Sequence, residues 1–222
     1  MVDIEKLMQE NDNFVFDLYG TLIDIHTDEW ADETWEKFCA FLDEEGITHP
    51  EIPAFRKDFF DLDKKYREDS KEYEYPEIDI LEVYKELFIK YGNSVPENLF
   101  DISYKFREAS REYMRLFPGV ENFFNTLKRN GKKIFILSNA QASYTLPEIE
   151  YFKLDKMVDD FIISSDYGCM KPDIHFYDAI VTRNNLDKSR TVMFGDSKTN
   201  DYYGALNAGL HGCHIDGNTA WQ

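Results

Sequence analysis

Four short polar segments carry residue types that suit chemistry on an anionic substrate. They are Asp17-Leu18-Tyr19-Gly20-Thr21-Leu22, Ser138-Asn139, Lys171-Pro172, and Gly195-Asp196-Ser197-Lys198-Thr199-Asn200-Asp201. A carboxylate at the end of a buried strand can attack phosphorus and form an aspartyl phosphate, which splits one difficult displacement into two easier ones, and Asp17 is placed for this. Nucleophile and phosphate repel unless their charge is offset. A divalent cation held by carboxylate and carbonyl oxygens does this, with Asp17 and Asp196 supplying ligands. The Ser138 hydroxyl and the main-chain N–H groups around Asn139 can donate to phosphoryl oxygens, and Lys171 adds a fixed positive charge. Gly20 permits a tight turn after the strand, and Thr21 offers a second hydroxyl. Asn200 and Asp201 suit two roles equally, capping a helix or holding metal waters and the Lys171 ammonium.

The elements that must position these residues follow from the apolar pattern. Runs at 14–18, 133–137, 161–163, 191–194 and 211–215 are short and mostly apolar on both faces, as in a parallel sheet covered on both sides. Helical patterns at 119–130, 173–184 and 198–208 alternate with them, which predicts a doubly wound α/β fold with its ligands at the carboxyl ends of the strands. The interval 24–116 breaks the alternation. Amphipathic stretches near 28–45, 53–71, 76–91 and 97–115, bounded by Gly46, Pro50, Pro53, Pro76, Gly92 and Pro96, predict a four-helix insert after the first strand. The expected organisation is a catalytic core of 1–23 and 117–222 and a helical domain of 24–116.

In their order, and with Pro118-Gly119-Val120 opening the helix before the second strand, the four segments resemble the haloacid dehalogenase superfamily of aspartate-nucleophile hydrolases, from Asp17 to about Gly209. The resemblance implies a Rossmann-like three-layer core of strand order 5-4-1-2-3 and a C1-type helical cap enclosing the substrate. It implies Mg2+ held by Asp17, the Tyr19 backbone carbonyl and Asp196. It gives Ser138 and Lys171 the roles already read from their chemistry, with Gly20, Thr21 and Asn139 beside the phosphate and Asn200 and Asp201 behind the metal.

Position 19 departs from the pattern. Phosphatases of this superfamily carry a second aspartate there as general acid and base, whereas a tyrosine, with a pKa near ~10, is a poor base at neutral pH. L-2-haloacid dehalogenases are similar at the first motif and need no acid, because halide leaves unprotonated. They use a serine in place of Asp196 and an arginine in the cap, yet no arginine lies between Thr21 and Phe55 here. A buried carboxylate facing Asp17 without a cation costs several kcal/mol, so the expectation is a Mg2+-dependent phosphatase of a small phosphorylated metabolite. A metal-independent dehalogenase is the alternative, and a non-catalytic phospholigand-binding protein the third reading. The missing acid points to good leaving groups such as acyl or aryl phosphates, or to another acid recruited from the cap.

Composition narrows the field. The 222 residues include 43% hydrophobic and 16% aromatic side chains, enough for a sizeable core, and a formal charge of -18 disfavours nucleic acid and anionic lipid partners. Cys39, Cys169 and Cys213 show no paired spacing and read as reduced packing thiols. The start MVDIEKLMQENDNF lacks the pattern of a targeting signal and no run suits a membrane span, so a soluble, cytoplasmic monomer or homodimer is expected. His211 and His214 fall on opposite faces of a strand, and His26 reads as a surface-loop histidine. The cap aromatics read as packing, and Lys57, Lys64, Arg67, Arg107 and Arg111 as solvated faces.

Overall fold

In the computed structural model, which describes residues 4–221, the first apolar run becomes β1 (Asn13–Phe16), whose four residues are all buried. Successive side chains on a strand point to opposite faces, so Phe14 and Phe16 pack into one core and Val15 into another. A strand buried on both faces needs parallel neighbours on each side. These are β4 (Lys133–Ser138) and β6 (Thr191–Gly195), with Val15 opposite Phe135 and Met193. Beyond them lie β5 (Asp160–Ile163) and β7 (His211–His214), giving the order β5-β4-β1-β6-β7. Numbered as core strands, this is the expected 5-4-1-2-3 arrangement.

Helices cover both faces. Phe124 of α6 (Val120–Arg129) packs on Phe16 with ring centroids 5.0 Å apart, and Phe176, Tyr177 and Ile180 of α8 (Ile174–Asn184) join Val15. Three helices lie outside the predicted set, α1 (Ile4–Glu10), α7 (Ala142–Tyr151) and a short one at the carboxyl end; α7 carries Pro147 in its interior, a residue that breaks most helices. The first three residues of the stretch read for a targeting signal lie outside the described residues. Among the described residues, no helix is long and apolar enough to cross a membrane.

Four helices lie in the long interval: α2 (Asp32–Glu44), α3 (Ile52–Asp69), α4 (Ile80–Lys90) and α5 (Leu99–Ser110). They share a core of their own, with the fully buried Trp35 edge-on to Phe59 at 5.4 Å and tilted against Phe106 at 4.9 Å. The predicted last helix, 97–115, runs too far. It stops at Ser110, and Arg111–Leu116 forms β3, antiparallel to β2 (Ile23–Thr27). This two-stranded ribbon joins bundle to sheet, and it places His26 on a strand, stacked on Tyr113 at 6.1 Å, not in a loop. The ribbon is illegible in sequence because β3 (REYMRL) is half-exposed and mostly polar.

Further along, the helix predicted at 198–208 is a π-helical turn over 198–203 followed by α9 (Gly204–Asn207), while α10 (Gly217–Ala220) brings Trp221 onto the core. All three cysteines are free and buried.

Candidate active site

Parallel strands present their carboxyl ends along one edge, so β1, β4 and β6 deliver Asp17, Ser138 with Asn139, and Asp196 side by side. The Asp17 N–H still donates to Phe194 O at 2.8 Å, which fixes the residue just past its strand. Carboxylate oxygens of Asp17, Asp196 and Asp201 lie within 4.8 Å of one another. Hard oxygen donors at this spacing suit a divalent cation such as Mg2+. Asp17 and Asp201 are buried, but Asp196, expected to be a buried carboxylate facing Asp17, is exposed, so water offsets part of its charge.

Lys171 arrives on the loop after β5 and is 2% exposed. Its Nζ donates to Asp17 Oδ1 and to Asp201 Oδ1, each at 2.7 Å. Burial opposes the Lys171 charge, but the two carboxylates hold the ammonium above the ordinary lysine value. For Asp17, burial pushes the carboxyl up, Lys171 pulls it back and Asp201 adds to the push. Of the two roles expected for Asp201, these contacts favour holding the Lys171 ammonium over capping a helix. Its Oδ1 takes Lys171 and its Oδ2 accepts from Ser197 N at 2.9 Å, while the helical turn is capped by Ser197, whose Oγ accepts from Asn200 N. Asn200 lines the same small cavity as Asp17, and its carbonyl accepts from Tyr177 Oη.

Asn139 keeps its main chain, the part expected to meet an anion, and commits its side chain elsewhere. Its side-chain amide accepts from Lys171 N at 2.7 Å and donates to Lys171 O at 2.8 Å, so it clips the lysine backbone and leaves only main-chain groups for an anion. The Ser138 and Thr21 hydroxyls are buried without a protein partner, and Ser138 lines the small cavity with Asp17, where a phosphoryl oxygen would satisfy it. Gly20 has φ +79°, and a Cβ there would stand 2.6 Å from Asp196 Oδ2. Gly20→Ala is expected to lose about 1–2 kcal/mol from backbone strain alone, measurable by urea denaturation, and to displace the Asp196 carboxylate as well.

The Tyr19 hydroxyl is committed within the protein. It donates to buried Glu148 of α7 and lies 3.1 Å from Thr145 Oγ1. Burial first, then the Glu148 charge, lift the phenol far above its usual range. Glu148 also accepts from Arg107 Nε at 2.9 Å, and the Arg107 guanidinium sits 5.1 Å from the Tyr19 ring centre. Arg107, read as a solvated face, is therefore buried in a network tying α5 to α7. Nothing in its local sequence marks this, because the partner is 41 residues away.

His211 Nδ1 meets Asn11 Oδ1 at 2.7 Å, and His214 Nε2 donates to the Asp196 carbonyl at 2.9 Å, a support for the metal-side loop that sequence reasoning missed. Burial pushes the Cys169 thiol up to about 11 despite its closeness in sequence to Lys171, as befits packing. A second cavity of ≈310 Å³ adjoins the small one through Tyr19 and Asn139 and runs between the sheet edge and the helices, lined by Glu29, Phe60, Arg67 and Arg107 among others.

Residues 12–209 match the haloacid dehalogenase-like hydrolase family. The chain is 32% identical over 100 residues to the pyrimidine 5'-nucleotidase YjjG of Escherichia coli, covering 45% of this chain and 44% of that protein. It is 33% identical over 96 residues to the phosphoglycolate phosphatase of Caulobacter vibrioides, covering 43% and 40%. Each match thus spans under half of the relative. A 2-haloacid dehalogenase from Pseudomonas syringae superposes over 92% of this chain and 86% of its own with a TM-score of 0.65 at 17% identity, and a phosphatase from Thermococcus onnurineus over the same shares with 0.58 at 18%. At that identity the likeness is one of fold.

Proposed function

The chain belongs to the haloacid dehalogenase-like hydrolases, and from that premise we propose that it is a Mg2+-dependent phosphatase of small phosphomonoesters, with residues 24–116 acting as its cap. The observation that carries this reading is the convergence of the Asp17 and Asp196 carboxylates, with Asp201, to within 4.8 Å. Without a cation those charges repel beside an incoming anion, and a metal-independent dehalogenase has no use for Asp196. The curated relatives named for phosphatase and nucleotidase activity support the same choice.

Asp17 attacks phosphorus. The P–O bond to the organic group breaks, the alcohol oxygen leaves with the electron pair and takes a proton from solvent, and an aspartyl phosphate remains. Water then attacks that phosphorus, the bond to Asp17 Oδ breaks, and inorganic phosphate departs. Ser138 and Thr21 donate to the phosphoryl oxygens, and Lys171 keeps a positive charge against Asp17 and the transferred group. Asp17, Asp196 and the Tyr19 carbonyl would hold Mg2+, which would offset the negative charge on nucleophile and substrate. Asp201 and Asn139 position Lys171.

Because the Tyr19 hydroxyl is committed to Glu148, no acid at that position protonates the leaving oxygen, and activated esters are expected to react faster. Phosphate release from an aryl phosphate should exceed that from an alkyl phosphate by about 100-fold or more in kcat/KM, the usual worth of a general acid. Equal rates would remove this account of Tyr19. The reaction class is tested by phosphate release from phenyl phosphate and chloride release from 2-chloropropionate, each with Mg2+ and with chelator. Phosphate release that chelator abolishes and Mg2+ restores is the expected result; chelator-insensitive chloride release overturns the reading.

A further inference from the structure

The cavity beside the nucleophile carries a charge pattern the reaction itself does not need. Four carboxylates stand in or against its wall, those of Glu29, Asp63, Glu77 and Glu148. The guanidiniums there are already spoken for. Arg67 binds Glu77 Oε1 at 2.8 Å and Asp63 at 3.1 Å, and Arg107 binds Glu148 at 2.9 Å. Even with Arg111, which reaches Glu148 at 3.4 Å, three cations face four anions. The one left over is Glu29: among the described residues its carboxylate makes no hydrogen bond or ion pair. It is only half-exposed, and burial holds its carboxyl above the usual range, with Arg107 pulling the other way.

A poorly solvated carboxylate without a donor lacks a partner, and a ligand that brings one recovers that cost. Building on the phosphatase reading, we infer that Glu29 selects substrates whose organic group carries hydrogen-bond donors, an ammonium or hydroxyls, and rejects those bearing a second anion. A substrate carboxylate entering this cavity meets an unpaired like charge and no free cation. The cavity, at ≈310 Å³, limits the organic group to a small one, and Phe59, Phe60 and Tyr144 supply its apolar wall.

The test uses phenyl phosphates that differ only at the para position: aminomethyl, hydroxymethyl and carboxylate. Affinities are measured by calorimetry on Asp17→Asn, which binds without turnover, and kcat/KM on the native chain. The aminomethyl compound is expected to bind at least about 10-fold more tightly than the carboxylate, equivalent to ~1.4 kcal/mol, and Glu29→Gln to reduce that ratio to within about 3-fold. Equal binding of the two compounds, or a ratio that Glu29→Gln leaves intact, overturns the inference. Because selectivity is read from binding, a failure of phosphate release counts against the reaction and not against the role of Glu29.

Discussion

Lys171→Met should be the most damaging single change to the fold of the site. The ammonium is buried between Asp17 and Asp201 at 2.7 Å from each, and Asp201 is 1% exposed. Removing it leaves two carboxylates facing each other in a poorly solvated space, and breaking a buried pair in this way costs about 3–5 kcal/mol. Urea denaturation with and without excess Mg2+ measures the loss, and the cation should restore part of it by binding Asp17 and offsetting the charge beside Asp201. Lys171→Arg keeps the charge but not the compact point donor that fits two oxygens at once. A midpoint unchanged in Lys171→Met would mean that the ion pair contributes nothing, contrary to its burial.

Asp17→Asn separates chemistry from folding. An amide is a poor nucleophile toward phosphorus, so kcat should fall by about 10,000-fold or more. Stability should shift by no more than about 1 kcal/mol, because Lys171 keeps Asp201 and the Asp17 backbone keeps its bond to Phe194. Acid-quenched phosphoprotein from an aryl phosphate should be detectable in the native chain and absent from the variant. Retained turnover in Asp17→Asn would assign the nucleophile elsewhere.

The central strands β1, β4 and β6 were legible in sequence because they are buried on both faces and stand out as apolar runs, while the edge strands β5 and β7 are only partly buried and were legible by their spacing between helical patterns. The amphipathic helices of the insert were legible for a related reason: Trp35, Phe38 and Leu42 recur at helical spacing on one buried face. The β2–β3 ribbon and α7 escaped, since one is half-exposed and polar and the other holds Pro147. In both, long-range contacts override local signals.

The order of chemical residues along the chain determined which strand end each occupies, because a parallel sheet turns strand order into a row of carboxyl-terminal groups. Sequence alone thereby placed Asp17, Ser138 and Asp196 on one edge. What each side chain does there was decided only in three dimensions. Asn139 was free to face an anion until the loop after β5 brought the Lys171 backbone against it. Tyr19 and Arg107 became partners of Glu148 because α5 and α7 pack together. Hydrogen bonds and ion pairs depend on distances of a few ångströms between residues far apart in the chain, and only packing sets those distances.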